Sequence, residues 1–153
     1  MLACEFLTPF DKGLDFICIL VRLMIQDKGK DVINMKLIVA GSRGFDDYKL
    51  LSAHLDDINR RFGISEIVSG TARGADRLGE RYAVEHGIAI KRFPADWNNF
   101  GRAAGYIRNE QMAKYADACI CFWIDGSKGT GHMINLARQY GLRLRIVSLK
   151  GSE

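Results

Sequence analysis

Residues 36–48 read KLIVAGSRGFDDY. The first part is a short apolar, β-rich run that ends at Gly41, which is typical of a buried strand. After the loop, apolar residues recur at helical spacing up to Phe62, and Asp46 stands where an N-cap is expected. The segment therefore predicts a strand over 36–41, a glycine-containing turn and a helix over 46–62.

The same alternation continues to the end of the chain. Further strands are predicted at 64–69, 88–93, 118–123 and 144–149, and further helices at 75–86, 102–115 and 130–140. Strands that alternate with helices form βαβ units with right-handed crossovers. We therefore expect an α/β fold, a Rossmann-like three-layer sandwich with a five-stranded, mainly parallel sheet and helices on both faces. It forms a single domain over residues 35–153.

Residues 1–34 do not follow this alternation. Their apolar run at 16–25 contains Arg22, and it is far shorter than the roughly 20 residues of a membrane span. Acidic residues precede it, unlike the basic start of a signal peptide. The run is either a short helix that packs on the domain or on a partner chain, or part of a non-native extension upstream of Met35. These features favour a cytoplasmic protein without a membrane partner.

Composition places the chain among ordinary folded domains. It has 153 residues, of which 48% are hydrophobic and 26% charged, and a net charge of +4. These values exclude a disordered chain and a disulfide-stapled miniprotein. Cys119 and Cys121 are two apart on a predicted strand, so we interpret them as reduced core residues. The small basic excess is compatible with a phosphate-bearing ligand and too small to indicate nucleic acid.

Three strand-to-helix loops, 41–44, 69–76 and 126–131, are rich in glycine and hydroxyl residues. Carboxyl ends of parallel strands meet at one edge of the sheet, where such folds bind ligands. Glycine lets a ligand approach the backbone, and a helix start offers unpaired N–H groups to an anion. The loops lack the dinucleotide and P-loop spacings, which disfavours a dehydrogenase or an NTPase. The candidate binding residues are Gly41, Ser42, Arg43, Gly70, Thr71, Arg73, Gly74, Asp76, Gly126, Ser127, Lys128, Gly129 and Thr130.

The region around the third helix adds aromatic and basic candidates. Trp97 and Phe100 lie in a polar loop, where they could stack on a base or form a hydrophobic cap over the helices. Arg108 could clamp a phosphate or ribose, or form a surface ion pair. Trp97, Arg108 and the adjacent Asn109 complete the candidate binding set.

Read in order, the segments GSRGFDDY, SGTARGAD, PADW, AAGYIRNEQM and KGTGHM resemble the SLOG superfamily, in particular its YspA-like branch. The resemblance covers roughly residues 35–148. It implies a Rossmann-like fold and binding of nucleotides or nucleotide-derived ligands such as ADP-ribose-like molecules, in proteins of bacteria or phages. It also implies a homo-oligomer. No metal ligands are predicted, although Mg²⁺ could accompany a bound diphosphate.

The superfamily also contains the Lonely Guy phosphoribohydrolases, which cleave the N-glycosidic bond of nucleoside monophosphates. Arg108 is similar to their helix arginine, and residues 126–130 resemble their glycine-rich loop. Their acid position, however, falls here on Met133, which can neither activate water nor stabilise an oxocarbenium ion. The resemblance therefore implies catalysis by Arg108, with His132 as acid or base, only if another acid serves. The candidate acids are Asp76, Asp96, Glu110 and Asp125.

Three functions follow from these observations. The first is a nucleotide-binding protein that senses or sequesters its ligand. The second is an N-glycosidase or phosphoribohydrolase that acts on a nucleotide. The third, less favoured, is single-stranded DNA binding, since the superfamily includes the DNA-processing protein A group and that role needs a basic groove with stacking aromatics.

Overall fold

The structure is a computed structural model that describes residues 3–6 and 34–150. The interpretation of residues 16–25 as a helix lies outside these residues. A short 3-10 helix spans Gly101–Ala103. The strands are β1 Ala3–Phe6, β2 Met35–Gly41, β3 Ile64–Ser69, β4 Ala89–Arg92, β5 Ala118–Ile124 and β6 Arg143–Leu149. The helices are α1 Tyr48–Phe62, α2 Ala75–Glu85, α3 Trp97–Phe100, α4 Ala104–Tyr115 and α5 Lys128–Gln139.

The described strands form one sheet in the order β1-β6-β5-β2-β3-β4. Strands β2 to β6 are mutually parallel, which confirms the predicted α/β architecture. Strand β1 was not among the predicted strands; it pairs antiparallel with β6 from Ala3 opposite Ser148 to Phe6 opposite Arg145. Because the chain proceeds from β2 to β3 on one side and returns to β5 on the other, the strand order reverses beside β2.

Two apolar clusters make the sandwich three-layered. On one face, Leu37 and Val39 of β2 pack with residues of α1 and α2. On the other face, Ile38 of the same strand packs with residues of α4 and α5. Cys119 and Cys121 lie in the second cluster as buried free thiols, as expected for reduced core residues. This alternation of strand residues between two helix layers is what a parallel sheet covered on both faces requires.

Several element boundaries differ from the predictions. Asp47, not Asp46, caps α1, because its side chain accepts a hydrogen bond from the N–H of Leu50. The loop predicted before the third helix contains α3, and the 3-10 turn overlaps the start of the helix predicted at 102–115. Helix α5 begins at Lys128, inside the predicted glycine-rich loop. Such shifts are common at helix ends, where capping contacts rather than periodicity decide the first residue.

No helix among the described residues is long and apolar enough to cross a membrane.

Candidate functional site

The loops after β2 and β5 are joined at the point where the strand order reverses. The N–H of Ser42 donates to the carbonyl of Phe122 at 3.0 Å, and the Ser42 hydroxyl accepts from the N–H of Ile124 at 2.9 Å. A side chain at Gly41 would not fit, because its Cβ would lie 2.6 Å from the Phe122 carbonyl oxygen and 2.7 Å from the Ala75 Cβ. The glycine and the serine therefore hold the two loops in contact at the carboxyl edge of the sheet.

A cleft of about 550 Å³ opens at this edge. Its walls come from the loops after β2 and β5, from the start of α2 and from the segment between α3 and the middle of α4. We call it the cleft throughout. Its lining consists of Ala40, Gly41, Ser42, Arg43, Gly44, Ala72, Asp76, Trp97, Arg102, Gly105, Tyr106, Arg108, Asn109, Met112, Ile124, Asp125, Ser127, Gly129, Thr130 and Met133.

The structure brings many of the candidate residues together, and they come from all three glycine-rich loops. The candidates that line the cleft are Gly41, Ser42, Arg43, Asp76, Trp97, Arg108, Asn109, Ser127, Gly129 and Thr130. The candidates outside its lining are Gly70, Thr71, Arg73, Gly74, Gly126, Lys128 and His132. Two of the latter stand directly behind the lining: Gly70 lies between Asp76 and Arg108, and His132 contacts Asn109.

A buried charged pair, Asp76 and Arg108, lies against one wall of the cleft. The Asp76 carboxylate accepts hydrogen bonds from the N–H groups of Gly70 at 3.0 Å and Ala72 at 3.4 Å. The Arg108 guanidinium donates to the carbonyl of Gly70 and, at 3.0 Å, to the Asn109 side-chain oxygen. Both side chains are buried. The alternative interpretation of Arg108 as a surface ion pair is therefore wrong.

The loop that wraps Asp76 is held in an unusual conformation. Thr71 has a positive φ of 61°, a region that non-glycine residues rarely adopt. Its N–H donates to the Ser69 hydroxyl at 3.0 Å, and that hydroxyl donates to Glu80 at 2.7 Å. Strained backbone persists only where its surroundings hold it in place. Here the hydrogen bonds on both sides of Thr71 do so and keep the adjacent N–H groups directed at Asp76.

Burial dominates the pKa values of the charged pair. It raises the pKa of Asp76 to about 6, although the positive charge of Arg108 and the N–H donors of Ala72 and Gly70 oppose the rise. Burial likewise lowers the pKa of Arg108, with the charge of Asp76 acting against it. Asp76 thus exchanges its proton near neutral pH, whereas an arginine stays protonated.

The start of α5 presents a helix N-terminus to the cleft. Among the described residues, no side chain caps this helix; the Ser127 and Thr130 hydroxyls instead lie 2.9 Å apart, within hydrogen-bond distance. Ser127, Gly129 and Thr130 all line the cleft. Helix α1 differs, because Asp47 caps it. The first N–H groups of α5 are therefore free of side-chain caps at a position where an anion is favoured.

The candidate acids differ in whether they line the cleft. Asp76 and Asp125 line the cleft. Asp96 instead caps α3 by accepting from the Asn99 N–H at 3.1 Å. Glu110 pairs with Lys114 at 3.1 Å and accepts from the Tyr140 hydroxyl, and it does not line the cleft. Met133, which the resemblance aligns with the acid of the Lonely Guy enzymes, is buried at the cleft wall.

His132 supports the cleft from behind. The Asn109 side-chain nitrogen lies 3.4 Å from its Nδ1, and the Tyr106 ring meets it edge to face with centroids 4.6 Å apart. Burial lowers the pKa of His132, and the negative charge of Glu110 only partly opposes this. The imidazole is therefore mostly neutral at pH 7, and its contacts position Asn109 and Tyr106.

Sequence reasoning missed two large residues of the lining, Arg102 and Tyr106. A signal for Tyr106 was present, because it stands three residues before Asn109 and residues at this spacing share a helix face. No metal-binding cluster of three or more His, Cys, Asp or Glu side chains occurs within residues 34–150.

The raised pKa of Asp76 predicts a specific pH dependence of stability. The pKa of Asp76 is about 6 in the folded protein, above its ordinary value of 3.8. The stability that this carboxyl contributes is therefore present below pH 4 and is lost as the pH rises through 6. Relative to Asp76→Asn, the wild-type free energy of unfolding should therefore fall by roughly 2 to 3 kcal/mol between pH 4 and pH 8. Urea unfolding of both proteins across this range measures it. A constant difference between them would contradict the prediction.

Comparison with known proteins agrees with this architecture. The sequence profile of the YspA, cpYpsA-related SLOG family matches residues 35–100, which span β2 to α3. The chain is also 32% identical over 115 residues to the Gene 61 protein of Mycobacterium phage D29. The aligned region covers 70% of this chain and 91% of that protein. No solved structure matches the chain significantly. On these two matches, the chain belongs to the YspA, cpYpsA-related SLOG family.

Proposed function

We propose that the protein binds a nucleotide or nucleotide-derived ligand in the cleft, as a sensor or ligand-binding protein. One observation carries the proposal: the uncapped N-terminus of α5 and three arginines line the same cleft. The arginines are Arg43, Arg102 and Arg108, and two acids, Asp76 and Asp125, accompany them. Arginine and a helix N-terminus are the groups that bind phosphate oxygens best in proteins.

The size and position of the cleft support a small molecule. Its volume of about 550 Å³ lies within the range of roughly 300–1,000 Å³ that is usual for ligand pockets. It also lies at the carboxyl edge beside the reversal of strand order, where open α/β sheets bind their ligands. Family membership agrees with a nucleotide-related ligand.

Binding should depend on Arg43, which is exposed at the cleft wall. Titration calorimetry with AMP, ADP, ADP-ribose and NAD should find at least one ligand whose affinity falls about tenfold or more in Arg43→Gln, because a hydrogen bond to a charged group is lost. The matched control is Arg60→Gln, an exposed arginine of α1 that pairs with Asp57 at 3.0 Å and lies outside the cleft. We expect it to bind like the wild type.

Two results would overturn the proposal. One is the absence of binding to every nucleotide in the panel. The other is equal loss of affinity in both arginine variants, because that would indicate attraction by the overall charge rather than a contact in the cleft. A steep salt dependence of binding to single-stranded oligonucleotides would instead favour the DNA-binding function.

A second candidate function, nucleotide N-glycosidase, is supported by Asp76. A carboxyl with a pKa of about 6 lines the cleft next to an arginine, and a general acid works best with a pKa near the working pH. Incubation with the four nucleoside monophosphates, followed by chromatography for free base, tests this function. Base release that disappears in Asp76→Asn would support it, whereas nucleotide binding without release would leave a binding role.

Self-association of the protein stays a prediction.

A further inference from the structure

The segment from Trp97 to Tyr106 displays unusually many exposed aromatic side chains. Trp97 is 50% exposed, Phe100 52% and Tyr106 46%. Elsewhere among residues 34–150, the aromatic residues are more fully covered, and the remaining large exposed apolar side chain is Val84 on α2. Leaving large aromatic surface in water costs free energy, so a cluster of it marks a candidate contact site.

Two of these three aromatics line the cleft. Trp97 and Tyr106 are in its lining, whereas Phe100 is not. The Trp97 ring packs over Gly105, since a Cβ at that glycine would lie 3.4 Å from the tip of the indole. The Tyr106 ring stands at 88° to the His132 imidazole. Both rings are therefore held in place by neighbours in α4 and α5 while part of each remains open to the cleft.

The lining of the cleft is divided by chemistry. The segment 97–106 contributes Trp97 and Tyr106 together with Arg102, and the other aromatic residues of the described chain do not line the cleft. The loops after β2 and β5 contribute hydroxyls, a helix N-terminus and Arg43. One part thus suits a flat apolar ring, and the other suits an anion.

From this division we infer that the ligand is a nucleoside phosphate whose base stacks on Trp97 and Tyr106. The phosphate then lies at the loops after β2 and β5. The inference rests on the proposed function. It adds that the ligand carries a base and that this base binds at the two aromatic rings. Aromatic side chains stack on any base, because every base has a π face, so the two rings give affinity for a base without choosing among bases.

The test compares ligands with and without a base. Calorimetry measures the binding of AMP, GMP, CMP, UMP and ribose 5-phosphate to the wild type and to Trp97→Ala, Tyr106→Ala and Phe100→Ala. The wild type should bind at least one monophosphate about 10- to 100-fold more tightly than ribose 5-phosphate. Trp97→Ala and Tyr106→Ala should each lose most of this difference while their affinity for ribose 5-phosphate stays unchanged.

Phe100→Ala is the matched control, because it removes an equally exposed aromatic of the same segment that does not line the cleft. It should bind every ligand like the wild type. Fluorescence gives an independent reading, since the chain has two tryptophans. Base stacking should quench Trp97 emission with AMP and not with ribose 5-phosphate. Trp97→Phe should retain most of the affinity and lose the quenching.

The outcomes separate this inference from the proposed function. If neither the monophosphates nor ribose 5-phosphate bind the wild type, the inference fails. The proposed function fails with it only when ADP, ADP-ribose and NAD do not bind either. If the monophosphates and ribose 5-phosphate bind equally well, the base contributes nothing to affinity, and only the inference is wrong. The inference is also wrong if Trp97→Ala and Tyr106→Ala bind the monophosphates as well as Phe100→Ala does.

Discussion

Replacing Arg108 with methionine is expected to lower the free energy of unfolding by about 3 to 5 kcal/mol at pH 8, as is usual when one partner of a buried charged pair is removed. The Asp76 carboxylate would lose its positive neighbour, and the Gly70 carbonyl would lose its donor. Urea denaturation measures the loss. The control is Arg102→Met, an exposed arginine of the same cleft, which should change stability by less than about 0.5 kcal/mol.

The pH dependence identifies the cause of this loss. Without Arg108, the pKa of Asp76 should rise further above its present value of about 6. At pH 5 the carboxyl would then be protonated in the folded variant, so the penalty should be clearly smaller than at pH 8. Adding Asp76→Asn should recover much of the stability at pH 8. A loss that is equal at both pH values and unaffected by the second substitution would show that packing alone is responsible.

The second large effect is expected from Gly70→Ala. The new Cβ would lie 2.7 Å from the Asp76 carboxylate oxygen and 2.8 Å from the Arg108 guanidinium carbon, closer than van der Waals contact allows. Both charged side chains are buried and hydrogen-bonded, so neither can move away freely. Overpacking of this kind costs roughly 1–3 kcal/mol, and thermal or urea unfolding would detect it.

Gly129→Ala is the matched control for this prediction. It also lies at the cleft, but a Cβ there meets nothing within 4 Å. Because Gly129 lies in the first turn of α5, alanine should leave stability unchanged or raise it by up to about 1 kcal/mol. If the two variants are equally stable, the space between Asp76 and Arg108 is not as restricted as the structure indicates.

Local signals explain which parts of the fold were predictable. Short apolar runs that favour strands alternate with segments of helical periodicity, and both patterns depend only on neighbours in sequence. This alternation therefore identified the strands from β2 to β6 and the longer helices. The N-cap of α1 was misplaced by one residue, because Asp46 and Asp47 are equally suited to the role by type. Strand β1 was missed, because four residues carry little periodicity and its pairing with β6 joins the two ends of the chain.

The site likewise has features that follow from local sequence and features that depend on contacts between distant segments. By itself, the sequence determined that three glycine-rich loops meet at one edge of a parallel sheet, since topology places every strand end of this kind there. Only the tertiary structure decided that Arg108 is buried beside Asp76, that Tyr106 rather than Phe100 lines the cleft, and that His132 stands behind it. The physical reason is that burial and side-chain contacts depend on segments far apart in sequence, such as Gly70 and Arg108, which no local pattern relates.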